Sequence, residues 1–358
     1  MNLIEELFGL TIASAPTKAL KIIQQDGTTF KTRLSINTLI VSPFGTGKSS
    51  FLNAVEKAGY GVLTHEYTLP AIIGTIKKSG EIVEGFVIRS AGKVLLIDEF
   101  QKFGKREKEA LLSIMEDHQY TRTLGYQVAP PVHREGDFYE LHGEGNAFTI
   151  RVRNAFIIGS MYFKKRTIED KALLSRSFPI VLKPTLDDAF SILTRGSSFK
   201  LPREVDTWYQ RSINAEVTMP TNVAEHLSKR YRNEIEDDYI EVGFVVRGMI
   251  DIARISGIYT AIDSRTEVTI DDVDRAMKFA PLQVAGYNLG SLTPASIEVY
   301  SIIARYPDGV RQKKVIEESK YSPRQVKESL AELLGAKLIK QIKIGNKVFY
   351  FAKGVDTE

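Results

Sequence analysis

Short continuous apolar runs punctuate the chain at Leu39–Val41, Val94–Ile97, Ala155–Gly159 and Ile180–Leu182. Runs that do not alternate with polar residues predict strands buried on both faces, as in a parallel sheet. Val62-Leu63-Thr64 reads as a further strand. Between the runs the period lengthens to that of a helix. Phe51-Leu52 and Ala54-Val55 form one such pattern, and Ala110, Leu111, Ile114 and Met115 share one face of another. Leu3, Leu7 and Leu10 predict a helical face packed on the core. Strand and helix in alternation give the α/β class, a parallel sheet sandwiched by helices. Two stretches depart from the alternation. In Thr68–Arg89, Ile72-Ile73 and Ile82-Val83 flank the basic turn Lys77-Lys78-Ser79-Gly80, which predicts a short helix or a hairpin. Thr121–Arg153 carries Pro130-Pro131 and several glycines and ends in the alternation Phe148–Val152, the pattern of a strand returning from a long hairpin.

The second half changes character. Residues 186–285 read as helical: Val223, Leu227 and Tyr231 lie on one face, Val245–Ile258 is amphipathic, and Thr269 with Asp272 caps a helix. Gly286, Asn288 and Gly290 mark a linker over 286–292. Over 293–358 the pattern predicts three helices, then strands flanking Gly345-Asn346, which is a winged helix. Its third helix opens with Ser322-Pro323 and exposes Arg324 and Lys327. The wing carries Lys340, Lys343 and Lys347. Such a domain can bind duplex DNA or dock a protein. The divisions are therefore a lead-in (1–36), an α/β core (37–185), a helical region (186–285), the linker and the winged helix.

Ser42–Ser50 joins the first strand to the first core helix. Strand, glycine turn, Gly-Lys-Ser and helix is the context of a phosphate-binding P-loop. Gly45 and Gly47 let successive N–H groups curl into an anion nest, and the helix adds its positive end. The candidate ATP-binding set is Ser42, Pro43, Phe44, Gly45, Thr46, Gly47, Lys48, Ser49 and Ser50, with Lys48 on the β- and γ-phosphates and Ser49 on Mg²⁺. Ser42 stands where the pattern has its first glycine. The run Val94–Ile97 ends in Asp98-Glu99, acids at the carboxyl end of a buried strand, where ligands of open α/β sheets sit. Asp98 is placed to hold Mg²⁺ and Glu99 to polarise the attacking water. Ser160, closing another strand, falls beside the γ-phosphate.

Composition narrows the rest. The 358 residues are 43% hydrophobic and carry a net charge of +4, so a nucleic-acid site must come from local clustering. Without cysteine, disulfides, iron–sulfur clusters and Cys-type zinc sites are excluded. His133 and His142 lack metal-ligand spacing. The N-terminus lacks a signal peptide's basic region and no apolar run spans a bilayer, so the expectation is a cytoplasmic protein without a membrane partner.

SPFGTGKSS, VLLIDEF, EALLSIMED, the strand ending at Ser160 and ALLSR resemble, in that order, the AAA+ module of the minichromosome maintenance (MCM) replicative helicases. The resemblance covers about residues 37–285. It implies an ATPase in a homo-oligomeric, hexameric ring that acts as a helicase in DNA replication and uses ATP and Mg²⁺. In that family the arginine of ALLSR, here Arg176, reaches the ATP of the neighbouring subunit. The sensor-2 arginine matches Arg247 and the sensor-1 asparagine falls on Ser160. The helical region matches the lid, and the DNA-touching hairpins match Lys77-Lys78 and the long hairpin around Arg134. Only 36 residues precede the core, so the family's N-terminal region is expected from a separate partner. An ATP-switch initiator or helicase loader, and a protein remodeller resembling the MoxR or chelatase branches, are alternatives.

Overall fold

The computed structural model describes residues 2–42, 47–160, 168–181, 200–235, 242–290, 292–306, 308–335, 338–345 and 347–352. Its centre is a sheet of five parallel strands: β3 (Asn37–Val41), β4 (Gly61–Leu63), β7 (Val94–Ile97), β10 (Ala155–Ser160) and β11 (Phe178–Val181). They lie side by side in the order β11-β3-β10-β7-β4. The apolar runs read from the sequence are these strands, and β3, β7 and β10 are buried along their whole length.

Helices α2 (Lys48–Lys57) and α5 (Lys105–Asp117) cover the sheet. Phe51, Leu52 and Val55 of α2 join one apolar core; Ala110, Leu111, Ile114 and Met115 of α5 join another on the opposite face. Helix α1 (Leu3–Ser14) begins with a capping box on Asn2 and buries Leu7, Phe8 and Leu10 in the first core. The lead-in is thus part of the core's packing, as its leucine spacing predicts.

Both alternatives for Thr68–Arg89 are present: α3 (Leu69–Ile73) and α4 (Phe86–Arg89) bracket a hairpin of β5 (Gly74–Ile76) and β6 (Ile82–Glu84). The long hairpin is β8 (Gln119–Gly136) and β9 (Tyr139–Val152). It doubles back, so that its turn reaches its own base: the Arg153 N–H donates to the Phe138 carbonyl at 2.8 Å.

A side sheet was not read from the sequence. Strand β1 (Ala19–Ile23) pairs antiparallel with β2 (Thr29–Thr32) and parallel with β12 (Glu216–Met219). Around it pack the helices Thr221–Ile235, Val242–Ile262 and Ile270–Met277, the last with the Thr269–Asp272 capping box in place. The stretch 286–292 is not all linker: the helix Ala280–Gly290 passes through Gly286 and ends at Gly290. Gly286 serves close packing instead, since a Cβ there would lie 2.0 Å from the Pro179 carbonyl oxygen on β11.

Three helices, Pro294–Ala304, Gln312–Glu318 and Pro323–Gly335, surround a separate apolar core with β13 (Val310–Arg311), β14 (Ile339–Ile344) and β15 (Lys347–Ala352). No helix among the described residues is long and apolar enough to cross a membrane.

Candidate nucleotide site

The cradle forms at the carboxyl edge of the central sheet. β3 ends at Val41 and Ser42 is buried behind it. Pro43, Phe44, Gly45 and Thr46 lie outside the described residues. Gly47 has φ 78° and ψ 8°, a left-handed conformation disfavoured for residues with a Cβ, and from it α2 begins. The turn places Lys48 and Ser49 in the first helical turn, whose positive end favours an anion. Lys48 is buried. Its Nζ donates to the Ser42 carbonyl at 2.8 Å and to Ser42 Oγ at 2.7 Å. Burial lowers its pKa, against the opposing pull of Asp98 and Glu99. Ser50 faces outward on α2.

Across from α2, the Ser49 hydroxyl donates to Asp98 Oδ2 at 2.5 Å. A hydroxyl and a carboxylate oxygen side by side suit Mg²⁺, which takes few protein ligands and leaves its remaining positions to water and phosphate. Glu99 has φ 60° and ψ 56°, uncommon for a residue with a side chain. Such strain persists only where surrounding structure holds it, and it concentrates at functional sites. The Glu99 carboxylate is ion-paired with Lys102. Ser160 is buried at the end of β10, opposite Val41, and donates to Gln101 Oε1 at 3.4 Å. The neighbouring Gly159 leaves room for Asp98, which a Cβ would approach to 3.2 Å.

Arg176 and Arg247 are elsewhere. Arg176 follows α6 (Ile168–Ser175) and precedes β11; its carbonyl accepts from Asn37 Nδ2 at 3.0 Å, at the amino end of β3. The strand from Asn37 to Val41 alone is roughly 13 Å long, so this residue and the cradle stand at opposite ends of one sheet. Arg176 Nη2 meets Glu116 Oε2 at 2.5 Å, and Arg247 Nη2 meets Glu116 Oε1 at 2.6 Å. The two arginines, far apart in sequence, thus converge on one carboxylate. Burial raises the Glu116 pKa, but the hydrogen bond from Arg247 and the charges of Arg176, Arg247 and Arg33 outweigh it and hold the carboxyl below its ordinary value.

A cavity of about 540 Å³ opens here, lined by Lys18, Lys31, Arg33, Arg153, Arg176, Arg247 and Arg254 against Glu116 and Asp117. Sequence reading missed Arg33, Arg153 and Arg254, which come from three unrelated segments with no shared motif. Arg33 Nε and Nη1 are buried without a hydrogen-bond partner among the described residues, and Arg176 Nε likewise. Burial, aided by the surrounding arginines, pushes the His118 pKa down to about 3, so this cavity residue is neutral at pH 7 and adds no charge.

The candidate DNA residues divide. The hairpin β5–β6 packs on β8–β9: Lys78 lies over the Tyr126 ring, and Tyr126 donates its hydroxyl to the Ile76 carbonyl. Lys77 pairs with Glu81 at 2.9 Å. Arg134 pairs with Glu84 at 2.8 Å and sits on the part of the long hairpin that doubles back. Arg324 pairs with Glu328 at 2.9 Å on its own helix. Lys327, Lys343 and Lys347 are exposed. His142 faces Glu144 at 3.3 Å and the His133 ring at 6.2 Å.

Among known families, the chain is similar to the MCM P-loop domain over residues 12–122. The matched stretch runs from α1 to the start of β8 and contains Lys48, Ser49, Asp98, Glu99 and Glu116. It stops short of Ser160, Arg176 and Arg247. No curated protein matches the chain. The parallel sheet is consistent with a P-loop domain in this part of the chain, and the similarity to the MCM P-loop domain points to nucleotide binding.

Proposed function

We propose that the chain is a ring-forming ATPase of the MCM type that works on DNA, with each ATP clasped between two copies. One copy supplies the cradle. Lys48 neutralises the β- and γ-phosphates, Glu99 orients the attacking water and accepts its proton, and Ser160 hydrogen-bonds beside the γ-phosphate. Ser49 and Asp98 hold Mg²⁺, which neutralises charge on the phosphate oxygens. The next copy supplies Arg176 and Arg247. The observation that carries this reading is the separation of the two halves: cradle and arginine pair lie at opposite ends of the same sheet, so a single chain cannot close both on one nucleotide. Phosphoryl transfer needs positioned charge more than covalent help, and an arginine delivered in trans adds roughly 10³–10⁵ in rate.

Mixing tests the reading. Arg176→Ala protein keeps its cradle and Lys48→Ala protein keeps its arginines, so together they form some complete interfaces. ATPase activity above the sum of the two alone is the expected outcome. No rescue at any ratio overturns the trans arrangement. In this reading the helices around Val242–Ile262 are the lid and residues 293–358 a winged helix.

A protein remodeller is a second reading, favoured by the engagement of Lys77 and Arg134 with Glu81 and Glu84. Both pairs are largely exposed, and exposed pairs are worth roughly 0–1 kcal/mol, so a phosphate backbone can displace them. ATPase stimulation by DNA separates the readings. Under the DNA reading, Lys77→Ala with Lys78→Ala weakens DNA binding and flattens its salt dependence.

A further inference from the structure

We propose that Glu116 is a positioning residue that holds Arg176 and Arg247 side by side, ready for a nucleotide bound by a neighbouring copy. The inference rests on the trans reading above and adds to it the group that organises the arginine half.

Glu116 stands in the last turn of α5, whose buried residues Ala110, Leu111, Ile114 and Met115 fix the helix in the core. The chain then turns sharply at His118, whose φ is 56° and whose N–H donates to the Ile114 carbonyl at 3.0 Å. His118 Nε2 lies 3.0 Å from Ser35 Oγ, which ties this end of the helix to the segment leading into β3. The carboxylate therefore projects from a rigid support.

Its place is unfavourable for the helix. Negative charge at a helix C-terminus opposes the macrodipole, and no basic residue occupies this last turn. What compensates is the pair of arginines. Each takes a different carboxylate oxygen, at 2.5 and 2.6 Å, so the two guanidinium groups are held next to each other although like charges repel. The three side chains remain partly open to solvent, with exposures of 25%, 35% and 26% for Arg176, Arg247 and Glu116. Each arginine contacts the carboxylate through one Nη2 nitrogen; Arg176 also donates from Nη1 to the Ala172 carbonyl at 3.2 Å, which fixes its guanidinium further, and its Nε is buried, so it presents its Nη edge to an incoming anion. A phosphate approaching from outside thus meets two convergent cations whose geometry is already set.

The test compares Glu116→Ala, Glu116→Gln and Glu116→Asp in the full chain, reading kcat and KM for ATP separately. A misplacement near 1 Å costs about 10²-fold in rate. Glu116→Ala is expected to lower kcat on that order with KM nearly unchanged, with Glu116→Asp recovering part of the loss. In an Arg247→Ala background, Glu116→Ala is expected to add little. Because the defect belongs to the arginine half, mixing Glu116→Ala with Lys48→Ala protein is expected to restore turnover. The isosteric Glu116→Gln, checked by circular dichroism and size, keeps the test valid if the alanine variant does not fold. Wild-type or raised kcat in Glu116→Gln and Glu116→Ala overturns the inference, as does a change confined to KM. If Arg176→Ala is rescued by Lys48→Ala while Glu116→Ala is not, the positioning role fails and the trans reading stands. If neither is rescued, the trans reading itself has failed.

Discussion

Gly286→Ala sets two physical effects against each other, and the structure decides which wins. Gly286 lies inside the helix Ala280–Gly290, so alanine gains roughly 1 kcal/mol of helix propensity. The same Cβ would sit 2.0 Å from the Pro179 carbonyl oxygen and 2.7 Å from its carbonyl carbon, both backbone atoms of β11. Neither side can yield by turning a side chain; helix and strand must part by about an ångström. Overpacking of this kind costs roughly 1–3 kcal/mol and sometimes more. Because both contacts are backbone atoms, the cost falls in the upper part of that range and outweighs the propensity gain, leaving a net loss of up to about 2 kcal/mol. At roughly 2 °C per kcal/mol for a long chain, the melting temperature falls by up to about 4 °C. Gly125→Ala, whose Cβ meets nothing within 4 Å, is the control and should melt near the parent. Pro179 follows Arg176 by three residues, so ATPase activity is expected to fall further than the lost stability alone explains. A Gly286→Ala protein that melts higher than the parent would show that propensity dominates and that this helix does not press on β11.

Two other outcomes follow from the geometry. Glu99→Gln keeps the side chain's shape but removes the proposed base; nucleotide binding, measured by calorimetry, is expected to be retained while turnover drops by roughly 10²–10⁴, and normal turnover excludes Glu99 as the base. Burial raises the Asp272 pKa, but hydrogen bonds from Arg265 and Thr269 outweigh it and hold the carboxyl below its ordinary value. A depressed carboxylate contributes stability above its unfolded pKa, about 3.9, and loses it as the pH falls through the lower folded value. Asp272→Asn should thus melt below the parent at pH 7, with the gap closing below about pH 4; a gap independent of pH assigns the loss to packing.

Much of the fold was legible because burial on both faces leaves continuous apolar runs. Val94–Ile97 and Ala155–Gly159 admit few other readings, and the acids after the first run mark the ligand edge. The Thr269–Asp272 cap was legible because it is a contact three residues long. The side sheet was not: Ala19–Ile23 pairs with Glu216–Met219 across nearly two hundred residues, and β2 is largely exposed, so neither periodicity nor proximity signals it. Gly286 was misread because a glycine that breaks a helix and one that lets a helix approach a strand look alike in sequence. Glu116 was passed over for a related reason. In EALLSIMED it reads as the solvated face of an amphipathic helix, and only the fold brings Arg176 and Arg247 onto it.

The polarity of the sheet accounts for the division of the site. Beyond β3 the chain enters α2 from Gly47, and beyond β7 it enters α5 from Gly104; the positive end of α2 invites phosphate, and Lys48 there is a buried cation facing Asp98 and Glu99. Beside the amino end of β3 lie two helix C-termini, with the Met115 and Arg176 carbonyls accepting from Asn37 Nδ2. α5 ends at Asp117 and α6 at Ser175, and their partial negative charge tolerates a cluster of arginines that would otherwise repel one another. A parallel sheet keeps these ends apart by the length of its strands, and no movement of a side chain closes that distance. Under the trans arrangement proposed above, an anion at one end and the cations gathered at the other meet when one copy stacks against the next. On that proposal ATP turnover depends on protein concentration, and full activity in a diluted monomer overturns it.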